Sequence, residues 1–195
     1  MTVSVAEKKT AKKGKLLEAA FELFTLKGIN PTAIDEVVKR AGVAKGTFYL
    51  YFKDKWDLLE QIVIMKCRET VGEVLKSMAD EFESDELPTE EKIIIFLDRM
   101  MDRLVENRNL AVLILSDMAA FRKLWSRNDE KSEVYLKLLS LFTQGEIDEE
   151  EGRKRMYMLF VAAASVCCVS ILYSTPYTPD EIRPQIHLLV KSILK

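Results

Sequence analysis

The sequence predicts an all-α protein, on three observations. The 195 residues include only seven glycines and five prolines, which leaves little material for turns. Apolar residues make up 48% of the chain, enough for the core of one large or two small helical units. They recur at the i, i+3, i+4 spacing of amphipathic helices, and no stretch alternates as a half-buried strand would.

The first predicted helix runs from about Thr10 to Lys27. Gly28 ends it, because a residue without Cβ leaves the helical conformation at little cost, and Pro31 blocks its continuation. The residues expected to face inward are Leu16, Leu17, Ala20, Phe21, Leu23 and Phe24.

The segment TAIDEVVKRAGVAKGTFYLYFKDK, residues 32–55, has the layout of a helix-turn-helix. In its first helix, Ile34, Val37 and Val38 have the spacing of a buried face. Gly42 follows, where the chain must turn sharply and glycine tolerates a left-handed backbone conformation. The second helix begins just beyond it. In helix-turn-helix proteins this second helix enters the major groove of DNA.

The second helix carries the side-chain types that a DNA-binding surface needs. Phe48 and Phe52 are expected to anchor one side of it. The opposite side presents Lys45, Thr47, Tyr49 and Tyr51. Lysine binds phosphates or guanine, threonine offers a hydroxyl and a methyl, and tyrosine hydroxyls bond phosphate oxygens. Gly46 would allow close approach to the duplex. The spacing alone also fits a helical hairpin with a solvated face.

The order of these residues resembles the signature of the tetracycline-repressor (TetR) family of bacterial regulators. The matching positions are Gly42, Val43, Gly46, Phe48, Tyr49, Tyr51, Phe52 and Lys55. Upstream, LLEAAFELFTLKGINPTAIDEVVKRAG is similar to the family's first two helices, so the match covers Lys15 to about Leu59. The resemblance implies DNA contacts from Thr32, Lys45, Gly46, Thr47, Tyr49, Tyr51 and Lys55.

Two positions depart from the family pattern. Ala44 stands where relatives usually carry serine, and Ala33 where they often carry threonine. A serine at position 44 would cap the second helix of the helix-turn-helix, and loss of such a cap typically costs about 1 kcal/mol. We expect Thr32, in place of Ala33, to cap the first helix of the helix-turn-helix. Asp35 would then stand in the place of a capping-box acid.

A long helix is predicted from Asp54, its cap, to about Phe82. Lys55 would then lie where a helix N-terminus and an ammonium group can share one phosphate. Three further helices are predicted, of which the first ends near Asn107 and the last is closed by Gly145.

Two capped helices are expected to complete the chain. Asp148 opens the first of them, and Thr178 opens the second, with Pro179 at its first position and Glu181 completing a capping box. About nine helices result.

The resemblance implies two domains. Residues 1–53 would form an N-terminal arm and the helix-turn-helix domain, and residues 54–195 a helical effector-binding and dimerisation domain. Charge follows the same division: residues 1–55 carry 11 Lys/Arg and 6 Asp/Glu, and the remainder 18 and 25. Positive charge therefore gathers on the proposed DNA-binding segment, which orients the approach to DNA. The lysine-rich first residues, which lack the apolar core of a secretory signal, fit a DNA-contacting arm or a plain disordered terminus.

The segment from Met156 to Tyr173 contains no charged residue. Such a stretch is typical of a membrane span or of a helix buried on both sides. The resemblance favours burial, because it implies a homodimer in which the last two helices of each subunit pack together. We therefore expect a cytoplasmic protein without a membrane partner. The interface residues implied are Ala162, Ser165, Val169, Ile186 and Leu189.

The middle helices are rich in methionine and aromatic residues, which suit an ordinary core or an adaptable pocket. The resemblance implies a small-molecule effector there. The candidate lining residues are Phe96, Met100, Met118, Phe121, Trp125, Phe142 and Met158. A lipophilic cation would find a counter-charge in Asp98, Asp102 or Asp117, although helical spacing also sets these carboxylates beside basic neighbours as ion pairs.

Catalysis is not predicted. The chain has one histidine, His187, and it lacks a Gly-rich phosphate loop, a nucleophile elbow and a metal-ligand cluster, so we expect no cofactor and no metal. Cys67, Cys167 and Cys168 are expected to be reduced thiols, with redox sensing as the alternative.

The predicted function is a ligand-responsive homodimeric repressor of a palindromic operator, released by its effector. Activation would use the same contacts. The alternative is a TetR-like module for chromosome organisation or protein interaction.

Overall fold

The computed structural model describes residues 5–125, 132–143 and 147–195, with side chains from residue 10 onward. These residues form eleven α-helices and no strand. In chain order they are α1 (Val5–Lys27), α2 (Ile34–Ala41), α3 (Lys45–Tyr49), α4 (Lys55–Ser77), α5 (Ala79–Glu83), α6 (Thr89–Glu106), α7 (Arg108–Ser116), α8 (Met118–Lys123), α9 (Glu133–Leu139), α10 (Glu149–Tyr173) and α11 (Pro179–Leu194).

The all-α prediction is confirmed, but the count of about nine helices was too low. The predicted fourth helix is interrupted at Met78, which separates α4 from α5. The apolar stretch that follows α6 is also divided, because Asp117 ends α7 and its carboxylate accepts the Ala120 N–H that begins α8. Gly145, the expected end of the preceding helix, lies outside the described residues, as do residues 1–4 of the N-terminal arm. Helix α1 begins at Val5, earlier than the predicted Thr10.

Contacts within the chain define two compact units, Met1–Val63 and Ile64–Lys195, with the division inside α4. In the first unit, α1, α2 and α3 pack against one another. Their buried side chains include Leu16, Leu17, Ala20, Phe24, Val37, Val38 and Phe48. The turn between α2 and α3 has the predicted form: Gly42 is left-handed at φ 64°, and the Val43 N–H reaches back to the Val38 carbonyl at 3.0 Å.

The beginning of α2 differs from the prediction. Its N-cap is Ala33, whose methyl side chain cannot accept a hydrogen bond. Glu36, and not Asp35, provides the capping carboxylate, which accepts the Ala33 N–H at 2.9 Å. Thr32 does not cap the helix: it is buried, and its hydroxyl donates to the Gly28 carbonyl at 2.7 Å.

In the second unit, α10 is the central helix and packs against α6, α7, α8, α9 and α11. Its predicted cap is confirmed, since Asp148 accepts the Glu151 N–H at 2.9 Å. The capping box of Thr178 and Glu181 also forms at the start of α11. Near the start of α10, Gly152 allows close approach: a Cβ there would lie 2.6 Å from Thr143 Cγ2 and 2.8 Å from the Phe142 carbonyl oxygen.

Among the described helices, α10 is the one whose length and apolar composition would suffice to cross a membrane, with a mean hydropathy of 2.1 over its most apolar 18 residues. Core helices pass the same test. Side chains along one face of α10 are buried, including Met156, Leu159, Phe160, Ala163, Cys167 and Ile171. Its apolar sequence is therefore explained in part by burial within the unit.

Candidate DNA-binding surface and effector cavity

Helix α3 is a short element anchored by aromatic packing. Phe48 is fully buried, and its ring centroid lies 5.5 Å from that of Phe52, which is buried as well. The N-cap, Ala44, has the extended backbone of a cap residue but offers no side-chain oxygen. The Thr47 N–H bonds only to the Ala44 carbonyl, at 2.8 Å. Because one side of α3 is fixed in the core, the opposite side faces solvent.

Five of the predicted DNA-contact residues reach that solvent-facing side. Lys45 and Gly46 are exposed, and Tyr49 retains 54% of its accessible surface. Thr47 and Tyr51 are partly exposed. A Cβ placed on Gly46 would meet no atom within 4 Å, so this glycine is not required by the packing of the free protein. The surface therefore combines a cation, hydroxyl groups and a flat backbone segment.

Lys45 does not stand alone on this surface. Its Nζ lies 2.7 Å from Oδ1 of Asp35, which belongs to the first turn of α2. The hydrogen bond to that carboxylate, and then its charge, raise the pKa of Lys45 above the ordinary value. This pairing was not predicted from the sequence, because two residues ten positions apart on different helices leave no periodic signal.

Thr32 and Lys55 have structural partners instead. Thr32 is only 2% exposed, so its side chain is not presented on the solvent-facing side as predicted. Lys55 donates from Nζ to the carbonyls of Ile29 at 3.1 Å and Asn30 at 2.8 Å. Both residues therefore fix the connection between α1 and α2. The predicted cap of α4 is confirmed, since Asp54 accepts the Asp57 N–H at 2.9 Å.

The second unit contains a small apolar cavity of about 40 Å³. Its lining residues are Phe96, Leu97, Met100, Met101, Leu104, Ile114, Phe121, Trp125, Phe160, Ala163, Ala164 and Cys167. Four of the predicted residues are among them. Met118 is not, and Phe142 lies behind the wall, with its ring centroid 5.6 Å from that of Phe160. Met158 was placed wrongly, because it is 57% exposed on the opposite face of α10.

Trp125 is the polar exception in this apolar wall. Its ring centroid lies 4.6 Å from that of Phe160 and 6.1 Å from that of Phe121. The indole Nε1 is buried, and it is the one buried side-chain nitrogen or oxygen without a hydrogen-bond partner in the part of the chain that the structure describes. A buried donor without an acceptor is costly, so this position favours a ligand or a water that would supply one.

The carboxylates considered as counter-charges for a cationic effector have other partners. Asp98 Oδ1 lies 3.0 Å from Arg183 Nη1 and 2.9 Å from His187 Nε2, and Asp102 lies 2.5 Å from Arg183 Nη2. Partial burial opposes the charge on the guanidinium group, but hydrogen bonds to Asp102 and Asp98 outweigh it and raise the pKa of Arg183. Asp117 caps α8. These carboxylates are therefore used in helix capping and in pairing α6 with α11.

The three cysteines are free and buried. Burial raises the pKa of Cys167 and of Cys168 to about 12, and raises that of Cys67 as well. Thiols held in the protonated form react slowly with oxidants. Within the described ranges, no group of three or more His, Cys, Asp or Glu side chains could hold a metal ion.

An apolar strip remains exposed on α10 and α11. Four of the five predicted interface positions are exposed at least in part, of which Ala162 is exposed and Ser165 partly exposed. Val169 and Leu189 are also partly exposed, but Ile186 points inward and is buried. Large apolar side chains not predicted for the interface accompany them: Met158, Val166, Tyr173 and Leu188.

A three-helix unit with a left-handed glycine turn, followed by a short helix that presents lysine, threonine and tyrosine, defines a helix-turn-helix DNA-binding protein. Comparison with known proteins finds the same similarity. Residues 16–62 match the model of the bacterial regulatory proteins of the tetR family. The helix-turn-helix segment is therefore similar to that of this family of DNA-binding transcription regulators, as the resemblance in the sequence had implied.

Two relatives illustrate the similarity in sequence. The fatty acid metabolism regulator protein of Bacillus subtilis is 29% identical over 107 residues, which cover 55% of this chain and 53% of the relative. The regulator AcrR of Shigella flexneri is 34% identical over 80 residues, 41% of this chain and 37% of its own length. The chain thus spans about half the length of the first relative and less of the second.

Solved structures extend the similarity in fold along nearly the whole chain. A TetR regulator from Rhodococcus sp. RHA1 aligns with a TM-score of 0.64 at 22% identity, covering 96% of this chain and 98% of its own. FadR from Bacillus subtilis, solved in complex with stearoyl-CoA, aligns with a TM-score of 0.59 at 21% identity, covering 93% and 99%. At these identities the alignments establish the fold alone.

Proposed function

We propose that this protein is a ligand-responsive transcriptional repressor that binds a palindromic operator as a homodimer and is released by a small-molecule effector. The observation that carries the proposal is the solvent-facing side of α3, where Lys45, Thr47 and Tyr49 surround the exposed Gly46. A single short helix touches few base pairs, so specific binding needs two linked copies. The apolar strip on α10 and α11 supports that pairing, because large exposed apolar patches mark interaction surfaces.

The proposed place of action is the cytoplasm, with double-stranded DNA as the partner. The alternative function, a chromosome-organising or protein-interaction module, differs in one measurable respect: it would not select a palindromic sequence. Selection of bound duplexes from random DNA, with no effector present, tests both. Recovery of a palindromic consensus supports the repressor, whereas recovery without any consensus contradicts it.

Two substitutions test the proposed surface directly. Lys45→Ala and Tyr49→Phe should each weaken binding to the selected operator, because they remove a cation and a hydroxyl from the exposed side of α3. Binding by the unmodified protein should fall steeply as salt increases, since phosphate contacts release counterions. Equal operator affinity in both variants and the unmodified protein would mean that another surface binds DNA.

The apolar cavity supports an effector with a largely apolar body. Its wall is aliphatic and aromatic, and the Trp125 indole offers one donor to an acceptor on the ligand. The fold is shared with a regulator solved with stearoyl-CoA, which is consistent with an acyl chain. Because Asp98, Asp102 and Asp117 are already bonded, a lipophilic cation is no longer favoured.

The cavity is too small for such a ligand as it stands, so binding must displace lining side chains. Met100 and Met101 are suited to this, because unbranched thioether side chains repack readily. An effector that prefers the rearranged state shifts the equilibrium away from the DNA-binding state. Isothermal titration with a series of acyl-CoA thioesters, followed by operator binding in their presence, tests this part of the proposal. Absence of binding across the series would contradict the acyl effector and leave operator binding untouched.

A further inference from the structure

The ion pair between Asp35 and Lys45 joins the first turns of the two helix-turn-helix helices on their exposed side. The Nζ–Oδ1 distance is 2.7 Å, and the side chains of Lys45 and Asp35 retain 55% and 69% of their accessible surface. Exposed ion pairs of this kind contribute little to stability. Capping of α2 is provided by Glu36, whose carboxylate binds the Ala33 N–H, so Asp35 is not needed for that purpose.

A carboxylate on a DNA-binding surface has an electrostatic cost. It repels phosphates, and it reduces the attraction that the neighbouring ammonium exerts on them. The cost is offset only where the carboxylate meets a hydrogen-bond donor on the DNA. In the major groove that donor is the amino group of a base, and carboxylates pair best with N4 of cytosine.

The ammonium group of Lys45 has three N–H bonds, of which one is directed to Asp35. The remaining two can donate to O6 and N7 of guanine. An acceptor and a donor held side by side thus match the edge of a G·C pair, or of a guanine next to a cytosine. Asp35 also restrains the long lysine side chain, which would otherwise lose more rotamer entropy on binding.

We propose that Asp35 and Lys45 act together as one base-reading unit, with Asp35 as the residue that determines specificity for a G·C pair in each operator half-site. The inference rests on the proposed binding of DNA by α3. In this proposal α2 contributes directly to the recognition of a base, through Asp35, in addition to positioning α3.

Replacement of Asp35 separates this role from a structural one. In Asp35→Ala, one position of the selected consensus should lose its G·C preference, while affinity for unrelated duplex rises. The freed ammonium should take a phosphate instead, which steepens the slope of log affinity against log salt by about 0.9. In Asp35→Asn, the preference should move toward adenine, because a carboxamide matches N6 and N7 of that base.

Glu22→Ala is the matched control, since it breaks the ion pair of Glu22 with Arg40 in the same unit and also frees one cation. Selection with this variant should return the consensus of the unmodified protein. The proposal is overturned if Asp35→Ala keeps the G·C preference, or if Glu22→Ala alters the consensus to the same extent. If the unmodified protein selects no consensus at all, the proposed function itself fails. Thermal melting confirms that each variant is folded.

Discussion

Helices α2 and α3 both have alanine as the N-cap residue, and an alanine side chain cannot accept the hydrogen bond of a cap. Ala33 and Ala44 have the extended backbone typical of N-cap residues, at ψ 146° and 148°. Glu36 compensates at α2 by bonding back to the Ala33 N–H, but no corresponding acid follows Ala44. The uncapped end of α3 is therefore a local weakness beside the residues that are proposed to contact DNA.

Ala44→Ser should raise the free energy of unfolding by about 1 kcal/mol, because a serine oxygen can accept a backbone N–H of the first turn of α3. Chemical denaturation followed by circular dichroism measures the change. Ala11→Ser serves as the control: Ala11 is exposed inside α1, where serine is a slightly poorer helix former and should give no gain. An equal gain in both variants would contradict the capping explanation.

The buried thiols predict a large difference in reactivity between the folded and the unfolded protein. With a pKa of about 12, about one molecule in ten thousand carries an ionised Cys167 at pH 8. Alkylation by iodoacetamide should therefore be about a thousandfold slower in buffer than in denaturant, as followed by mass spectrometry. Because the unfolded thiols ionise near pH 9 and the folded ones do not, stability should fall as the pH rises from 9 toward 12. Rapid labelling of the native protein would contradict this account and revive redox sensing.

Single residues were predictable where their chemistry is local. Asp54, Asp148 and Thr178 cap helices as expected, since a cap needs only an oxygen and the next three residues. Thr32 has the same chemistry, but its hydroxyl bonds to the Gly28 carbonyl. This hydrogen bond depends on how the chain folds back after α1, and no local spacing in the sequence indicates that path.

At the scale of elements, α10 shows why a cavity is harder to predict than a helix. Its existence follows from length, composition and the Asp148 cap. Its orientation does not, because a helix that is apolar all round has no polar face to mark the solvent side. Met158 was therefore assigned to the cavity, although Phe160, two residues further on, is the residue that lines it.

Replacement of glycine by alanine tests the packing of α10 against the segment that precedes it. Gly152→Ala should destabilise the protein by about 1–3 kcal/mol, because the added methyl group would overlap the Phe142 carbonyl oxygen and Thr143. Gly72→Ala in α4 is the control: no atom lies within 4 Å of its added Cβ, so it should stabilise the helix by about 0.5–1 kcal/mol. Thermal unfolding of both variants measures the difference. A stabilised Gly152→Ala would show that this contact relaxes freely.

At the scale of the whole molecule, the small net charge conceals an uneven distribution of charge along the chain. The chain carries a formal charge of −2, but residues 1–55 carry 11 Lys/Arg against 6 Asp/Glu, whereas the remainder carries 18 against 25. The acidic remainder disfavours indiscriminate attachment to DNA, while the basic unit is drawn toward it. Under the proposed function, specific binding would require two such units to be linked, since one unit makes few contacts.

Dimerisation through the exposed strip of α10 is open to a direct test. Val166 is 44% exposed on that helix, and Val166→Glu would place a charge in the proposed interface, where it would be desolvated without a partner. We expect a folded monomer in sedimentation velocity at micromolar concentration, and operator affinity reduced by about 100-fold or more because the two units no longer bind as one. Val112→Glu, at a comparably exposed valine of α7, should leave the dimer intact. If the Val166 variant still sediments as a dimer, the subunits associate through another surface.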